Sequence, residues 1–448
     1  MPRRHQQHDQ VGEAIDAASR AIDTDVVVVG AGFAGIAAAR DLVQAGRRVV
    51  VLEARDRIGG RTWYREIPGT GVMAEYGGMF FSRATQPNLA REIDRYGVAV
   101  TPGSEPDVFA WIDGDRRDEG MGAMARIQVM LASSNLVDAL RTTGDAFRSG
   151  DRTALVALDV PAATWIEGLD AEPEAVDYVR AFVASMGGSP LERCSVLPLL
   201  WDMAELGYGP ADAFLDVGEL FTEGTKDLID PMAAGLDMRF EAVVTHVAHD
   251  DLSVTVTLDD GTFVRSDAAV IALPLNVWAD IEFDPPLADA KRRAADFRHP
   301  GQVSKVLAIV RDAPQSYVGM GWNTPINAGF VLRPAGEGGL FMGFSVQERV
   351  DLANHEAVTA AVNAHLPDAT VTTTGGHDWV NDRFSQGTWL SVPPTWFSDG
   401  TFDALAAPEG RLAFAGSDIA AEGAGWIEGA VGSGVAAAAY LQGALAQR

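Results

Sequence analysis

At 448 residues, with 47% hydrophobic and 22% charged content, the chain can bury more than one core, and two domains are expected. One cysteine, Cys194, excludes an intramolecular disulfide and a cysteine-rich metal site and suits a reducing compartment. A net charge of −27 repels nucleic acid and anionic membranes.

Residues 1–23 read as a polar arm. The His5-Gln6-Gln7-His8 run behind Arg3 and Arg4 cannot serve as an apolar signal core, and no membrane-length apolar run occurs, so a soluble cytoplasmic protein is expected. A β-branched strand over 25–29 stops at Gly30, and alanines and a leucine over 35–44 suit a helix. Between them stands Gly30-Ala31-Gly32-Phe33-Ala34-Gly35. The first glycine makes the tight turn, the second lets backbone N–H groups approach a pyrophosphate, and the third permits close packing at the helix N-terminus. A second strand over 48–52 ends at Glu53, at the spacing where such a fold places an acceptor for the ribose hydroxyls.

The residues after Glu53 choose between the dinucleotides. Ala54-Arg55-Asp56-Arg57-Ile58-Gly59-Gly60-Arg61-Thr62 adds a second glycine turn with arginines, which a nicotinamide enzyme does not need and an extended FAD pyrophosphate can use. A surface salt-bridge loop is the alternative.

The run over 25–62 closely resembles the start of the flavin-containing amine oxidase family. Glu75-Tyr76-Gly77-Gly78-Met79-Phe80 is similar to the family's Gly-Gly segment beside the flavin. Residues 412–418, ending in Gly416-Ser417-Asp418, followed by Gly425-Trp426-Ile427-Glu428-Gly429-Ala430, resemble its C-terminal FAD motif. The resemblance implies an α/β fold in which a Rossmann-like FAD-binding domain of glutathione-reductase type is interleaved with an α+β substrate-binding domain. It implies FAD contacts in the first turn from Gly30, Gly32, Phe33, Ala34 and Gly35, and beyond it from Glu53, Ala54, Arg55, Gly60, Arg61 and Thr62. Further contacts are implied from Gly77, Gly78, Met79 and Phe80, from Val244 and Trp379, and from Gly416, Ser417, Asp418, Trp426, Ile427 and Ala430.

The middle of the chain reads as a β-meander over 242–247, 253–258 and 262–265, with an Asp259-Asp260-Gly261 turn, and a further strand over 268–272. The expected FAD domain is therefore 24–82, 221–284 and 382–448, and the substrate domain 83–220 and 285–381. Helical periodicity runs over 121–147, and its Met121, Met124, Ile127, Leu131 stripe reads as core.

The eight histidines show no Ser-His-Asp or metal-ligand spacing, so hydrolase and metal readings are set aside. Lys305 lies in an apolar strand over 302–310, where an ammonium needs a partner. A lysine snorkelling from an edge strand is the alternative. By resemblance, Lys305 holds a water against flavin N5 and assists reaction with oxygen, and Trp389 and Trp426 form an aromatic cage that guides the amine. Ordinary core packing is the alternative for both rings. Thr388 stands where monoamine oxidases carry the cysteine joined to flavin, so non-covalent FAD is expected.

The reading is an FAD-dependent amine oxidase acting on an aromatic or hydrophobic small-molecule amine, with O2 as acceptor and H2O2 as product. It has neither nucleic-acid nor membrane partner, and a homodimer is allowed. A flavin desaturase or protoporphyrinogen-type oxidase, and a non-catalytic FAD-binding protein, are the competing readings.

Overall fold

The computed structural model describes residues 21–103, 106–132, 134–205 and 218–446. The runs VVVV at Val26–Val29 and VVVL at Val49–Leu52 carry branched apolar side chains at every position, the pattern of strands covered on both faces. They sit inside a five-stranded parallel sheet ordered Asp237–Arg239, Val49–Leu52, Val26–Val29, Ala268–Ile271, Leu412–Phe414. Successive side chains point to opposite faces. Val26, Val28, Val49 and Val51 join a core with the helices Phe33–Gln44 and Ile427–Ala446, while Val27, Val29, Val50 and Leu52 join one beneath a second sheet.

That second sheet contains the meander, Val244–His249, Val254–Leu258 and Phe263–Ser266, paired antiparallel. Ala21–Asp23 and Glu282–Asp284 extend it in parallel at its two edges. The last three residues of the segment read as a polar arm are thus a strand; residues 1–20 lie outside the described residues.

A third sheet has seven strands, ordered Thr370–Gly375, Ser304–Arg311, Gly338–Ser345, Ala328–Ala335, Tyr317–Trp322, Val108–Asp113, Arg116–Glu119. Ser304–Arg311 is flanked on both sides, so Lys305 does not belong to an edge strand. Helices Met121–Ala132, Leu136–Ser149, Pro173–Gly187 and Leu197–Glu205 share a core with this sheet, and Met124, Ile127 and Leu131 are buried in it. The side chain of Met121 lies outside the described residues. The helical stretch over 121–147 is two helices, not one. Ser134 Oγ donates to the Leu131 carbonyl at 2.7 Å and Asn135 Nδ2 to the Gly168 carbonyl at 3.3 Å, side-chain bonds that compete with helix continuation.

Candidate active site

The carboxyl ends of the parallel strands, the usual crevice for ligands in such sheets, open on a cavity of about 570 Å3. At Gly30 the backbone takes φ +104°, and a Cβ there would stand 2.5 Å from the Ala272 carbonyl oxygen. Gly32 caps the helix Phe33–Gln44 and has open space where a Cβ would be, so the helix N-terminus faces the cavity. Gly35 has a different role: a Cβ there would fall 1.9 Å from the Gly30 carbonyl oxygen, so its absence lets the helix sit against the turn. Glu53, 4% exposed, accepts from the N–H of Ala31 at 2.8 Å and of Arg55 at 2.9 Å, which pins its carboxylate at the cavity wall.

Of the residues expected at the cofactor, all but Gly35 and Asp418 line this one cavity. Asp418 is a buttress. Its Oδ1 accepts from Arg61 Nη2 at 2.8 Å and its Oδ2 from the Leu275 N–H at 3.0 Å. Burial pushes its pKa up, and Arg61, His299 and the Leu275 N–H more than offset that, leaving the carboxyl below its usual range. Arg61 also donates to the Thr388 carbonyl at 2.5 Å and to Ser417 Oγ at 3.0 Å, tying together three segments far apart in sequence. Arg55 pairs with Asp382 at 2.6 Å, and Arg57 lies 4.5 Å over the Trp63 ring, its guanidinium pushed down to about 10 by burial and by the charge of Arg55.

Lys305 lies where these loops meet the seven-stranded sheet. Its Nζ donates to the Gly77 carbonyl at 2.7 Å and contacts Met79 Sδ at 3.1 Å. Burial pushes the amine down to about 8, and Glu75 works against that shift. Glu75 is itself buried, accepting from the Trp63 N–H at 2.6 Å and from Thr225 Oγ1 at 2.6 Å. The compensation that an ammonium in an apolar strand requires is thus a carbonyl, a thioether and a nearby carboxylate. Trp389 Nε1 donates to the Met186 carbonyl at 2.9 Å, and Trp379 Nε1 to the Tyr76 carbonyl at 2.9 Å. With their N–H groups used in this way, both indoles present ring surface to the cavity, as does the half-buried Trp426.

Which side chains form the remaining wall is not readable from the sequence. Phe182, Met186, Leu199, Met320, Phe330 and Phe344 reach the cavity from helices and from the seven-stranded sheet, at no spacing that marks them. Phe344 meets Trp389 edge-on at 5.4 Å and Phe330 at 6.2 Å. Ser185 and Ser195, also on the wall, already donate to the Phe182 carbonyl and to Asp159, each at 2.9 Å. Cys194, in a segment that matches none of the cofactor motifs, lines the cavity too, its thiol kept neutral by burial.

These features suit an extended dinucleotide. A helix N-terminus and a carboxylate anchored on the Ala31 N–H beside it line the same cavity, and the buried Thr388 Oγ1 on the wall has no hydrogen-bond partner among the described residues. Fold and cavity together define a dinucleotide-binding enzyme with an apolar reaction chamber. Residues 33–442 match the model of a family described as flavin-containing amine oxidoreductases, and the chain belongs to that family. The (S)-6-hydroxynicotine oxidase of Paenarthrobacter nicotinovorans is 32% identical over 416 residues, 91% of this chain and 96% of that protein. A pseudooxynicotine dehydrogenase of a Pseudomonas species is 31% identical over 442 residues, 94% and 88% of the two chains. A putrescine oxidase solved with putrescine superposes at TM-score 0.80 with 25% identity, covering 94% of this chain and all of that one. The protein is an FAD-dependent enzyme that oxidises amines, with the α/β fold expected from its sequence. Among the described residues, no helix is long and apolar enough to cross a membrane, and no group of three or more His, Cys, Asp or Glu side chains is placed to hold a metal.

Proposed function

We propose that the enzyme oxidises small monoamines with an aromatic or otherwise apolar body, uses O2 as acceptor, and holds FAD without a covalent bond. The convergence of Lys305, Trp389 and Trp426 on one cavity with the nucleotide loops carries this reading. FAD, when bound, takes a hydride equivalent from the carbon beside the nitrogen and passes the electron pair to O2, releasing H2O2. The chain's own contribution is binding, orientation and charge. The chamber's apolar lining disfavours an ammonium and so favours the neutral, oxidisable amine. Trp389 and Trp426 orient the nitrogen between flat faces. Lys305 supplies positive charge where oxygen gains negative charge. The imine leaves for hydrolysis to an aldehyde or ketone. Thr388 offers a hydroxyl and no thiol at the linkage position, which supports non-covalent FAD. The same proposal takes residues 24–82, 221–284 and 382–448 as the FAD domain and 83–220 and 285–381 as the substrate domain. It also takes the cytoplasm as the location, in keeping with the one free, buried cysteine.

A peroxide assay across an amine panel tests the proposal. Phe182, Met186, Leu199, Met320, Phe330 and Phe344 bring no charged group to the wall they form, so a diamine's second ammonium meets apolar side chains there. For a phenylalkyl or cycloalkyl monoamine, kcat/KM should exceed that for putrescine by about 100-fold. Substrate loss without peroxide removes O2 as the acceptor, and a preference for putrescine removes the apolar monoamine.

A further inference from the structure

The ammonium of Lys305 has three N–H bonds, and the structure accounts for two acceptors, the Gly77 carbonyl and the Met79 thioether. Both come from a single loop that faces the strand Ser304–Arg311. A thioether is a weak acceptor and an uncommon companion for a buried cation. Met79 is half-buried and lines the cavity together with Lys305. The other neighbours do not anchor the amine. Phe344, opposite Lys305 in Gly338–Ser345, and Gly376, beyond Thr370–Gly375, are neutral. Glu75, at the end of Met73–Glu75, acts on Lys305 by charge, while its own oxygens are occupied by Trp63, Gly77 and Thr225.

We infer that Met79 is a positioning residue for Lys305: its sulfur and the Gly77 carbonyl hold two N–H bonds and turn the third toward the reaction chamber. The inference rests on the reading of Lys305 as the group that assists oxygen. A contact accepted from the charged form favours that form, so the thioether also keeps the amine protonated to higher pH than burial alone would allow. Positive charge at Lys305 speeds electron transfer to oxygen, and that assistance is present below the lysine's midpoint and lost as pH rises through it.

The chain contains three lysines, Lys226, Lys291 and Lys305, so holoenzyme labelled with 13Cε-lysine gives three signals to follow against pH. Two substitutions separate holding from packing. Met79→Leu keeps volume and apolarity and removes the acceptor; Met79→Gln restores an acceptor at similar reach and fits an apolar wall less well. The Lys305 midpoint should fall by about half a pH unit to one unit in Met79→Leu and return in Met79→Gln, because losing one charge-assisted contact shifts the equilibrium about three- to tenfold. Flavin reoxidation by O2 at pH 8, followed by stopped-flow absorbance, should slow and recover in the same order. A packing role gives the reverse rank, Leu like the parent and Gln impaired, and that rank or an unchanged midpoint in Met79→Leu overturns the inference. Lys305→Met, run alongside, isolates the underlying reading. If it reoxidises at the parental rate, Lys305 does not assist oxygen, and the midpoints still decide whether Met79 holds it.

Discussion

The two parts of the cavity differ in what holds them. The nucleotide part is held by close backbone packing and a buried ion pair: Gly35 packs on Gly30, and Arg61 joins the Thr388 carbonyl to Asp418. The amine part is walled chiefly by side chains, with the rings of Phe80, Phe330, Phe344 and Trp389 meeting edge-on or tilted at 5.4–6.5 Å. Backbone has nowhere to retreat, whereas a side chain can change rotamer. The nucleotide part should therefore fail in an all-or-none manner and the amine part by degrees.

Gly35→Ala is the hardest blow to that contrast. A Cβ 1.9 Å from a carbonyl oxygen forces the helix Phe33–Gln44 off its strand, at a cost of about 3 kcal/mol or more, since overpacking against backbone cannot relax through a rotamer. Purified Gly35→Ala should carry no FAD by its visible spectrum. Full flavin content would mean that the turn is as forgiving as the amine chamber.

Arg61→Met comes next. It leaves the fully buried Asp418 without its cation, and His299, 3.8 Å away, cannot substitute, because burial pushes its imidazole down to about 4. Breaking a buried pair on one side costs about 3–5 kcal/mol. The pH dependence gives the sign. In the parent protein Asp418 sits below its usual range, so its stabilisation holds from neutral pH down and is lost only in strong acid. Without Arg61, burial dominates and lifts the folded-state value above the unfolded one, so the variant should lose stability as pH rises from 5 to 8. Tm measured across that window should fall for Arg61→Met relative to the parent, in which the buried His299, its imidazole pushed down to about 4, adds stability as pH rises from 5 through the unfolded value of 6.5. Equal profiles would show that Asp418 does not depend on Arg61.

The same division explains what could be read from the sequence. Gly30, Gly32, Gly35 and Glu53 are fixed by the geometry of one strand, turn and helix, so their spacing is visible along the chain. Asp418 was legible as a neighbour of the cofactor loops, but spacing does not say which atom a carboxylate faces, and it faces Arg61. Lys305 could be picked out because a lysine in an apolar strand demands compensation, whereas its thioether contact depends on a loop more than two hundred residues away. Phe330 and Phe344 were illegible. They reach the chamber only through the pairing of Ala328–Ala335 with Gly338–Ser345, a register that tertiary packing sets. Nor did periodicity reveal the break between Met121–Ala132 and Leu136–Ser149, since Ser134 and Asn135 act through bonds to specific carbonyls.

The gentlest perturbation probes the amine part directly. Phe344 is half-buried on the wall and meets Trp389 at 5.4 Å, Phe330 at 6.2 Å and Phe80 at 6.5 Å. Phe344→Leu keeps an apolar side chain there and removes those edge contacts, each worth about 0.5–1.5 kcal/mol when well packed. Because the neighbouring rings can turn to refill part of the space, the loss should approach one contact and not three. KM for an aromatic amine should rise about three- to tenfold, with kcat nearly unchanged, because the interaction lost is one that ground state and transition state share. The ring contacts of Phe344 are to Phe80, Phe330 and Trp389 and include neither Gly30 nor Glu53, so FAD content should stay full. A fall in FAD content would show that the two parts fold as one unit and that the graded response assigned to the amine part does not belong to it alone.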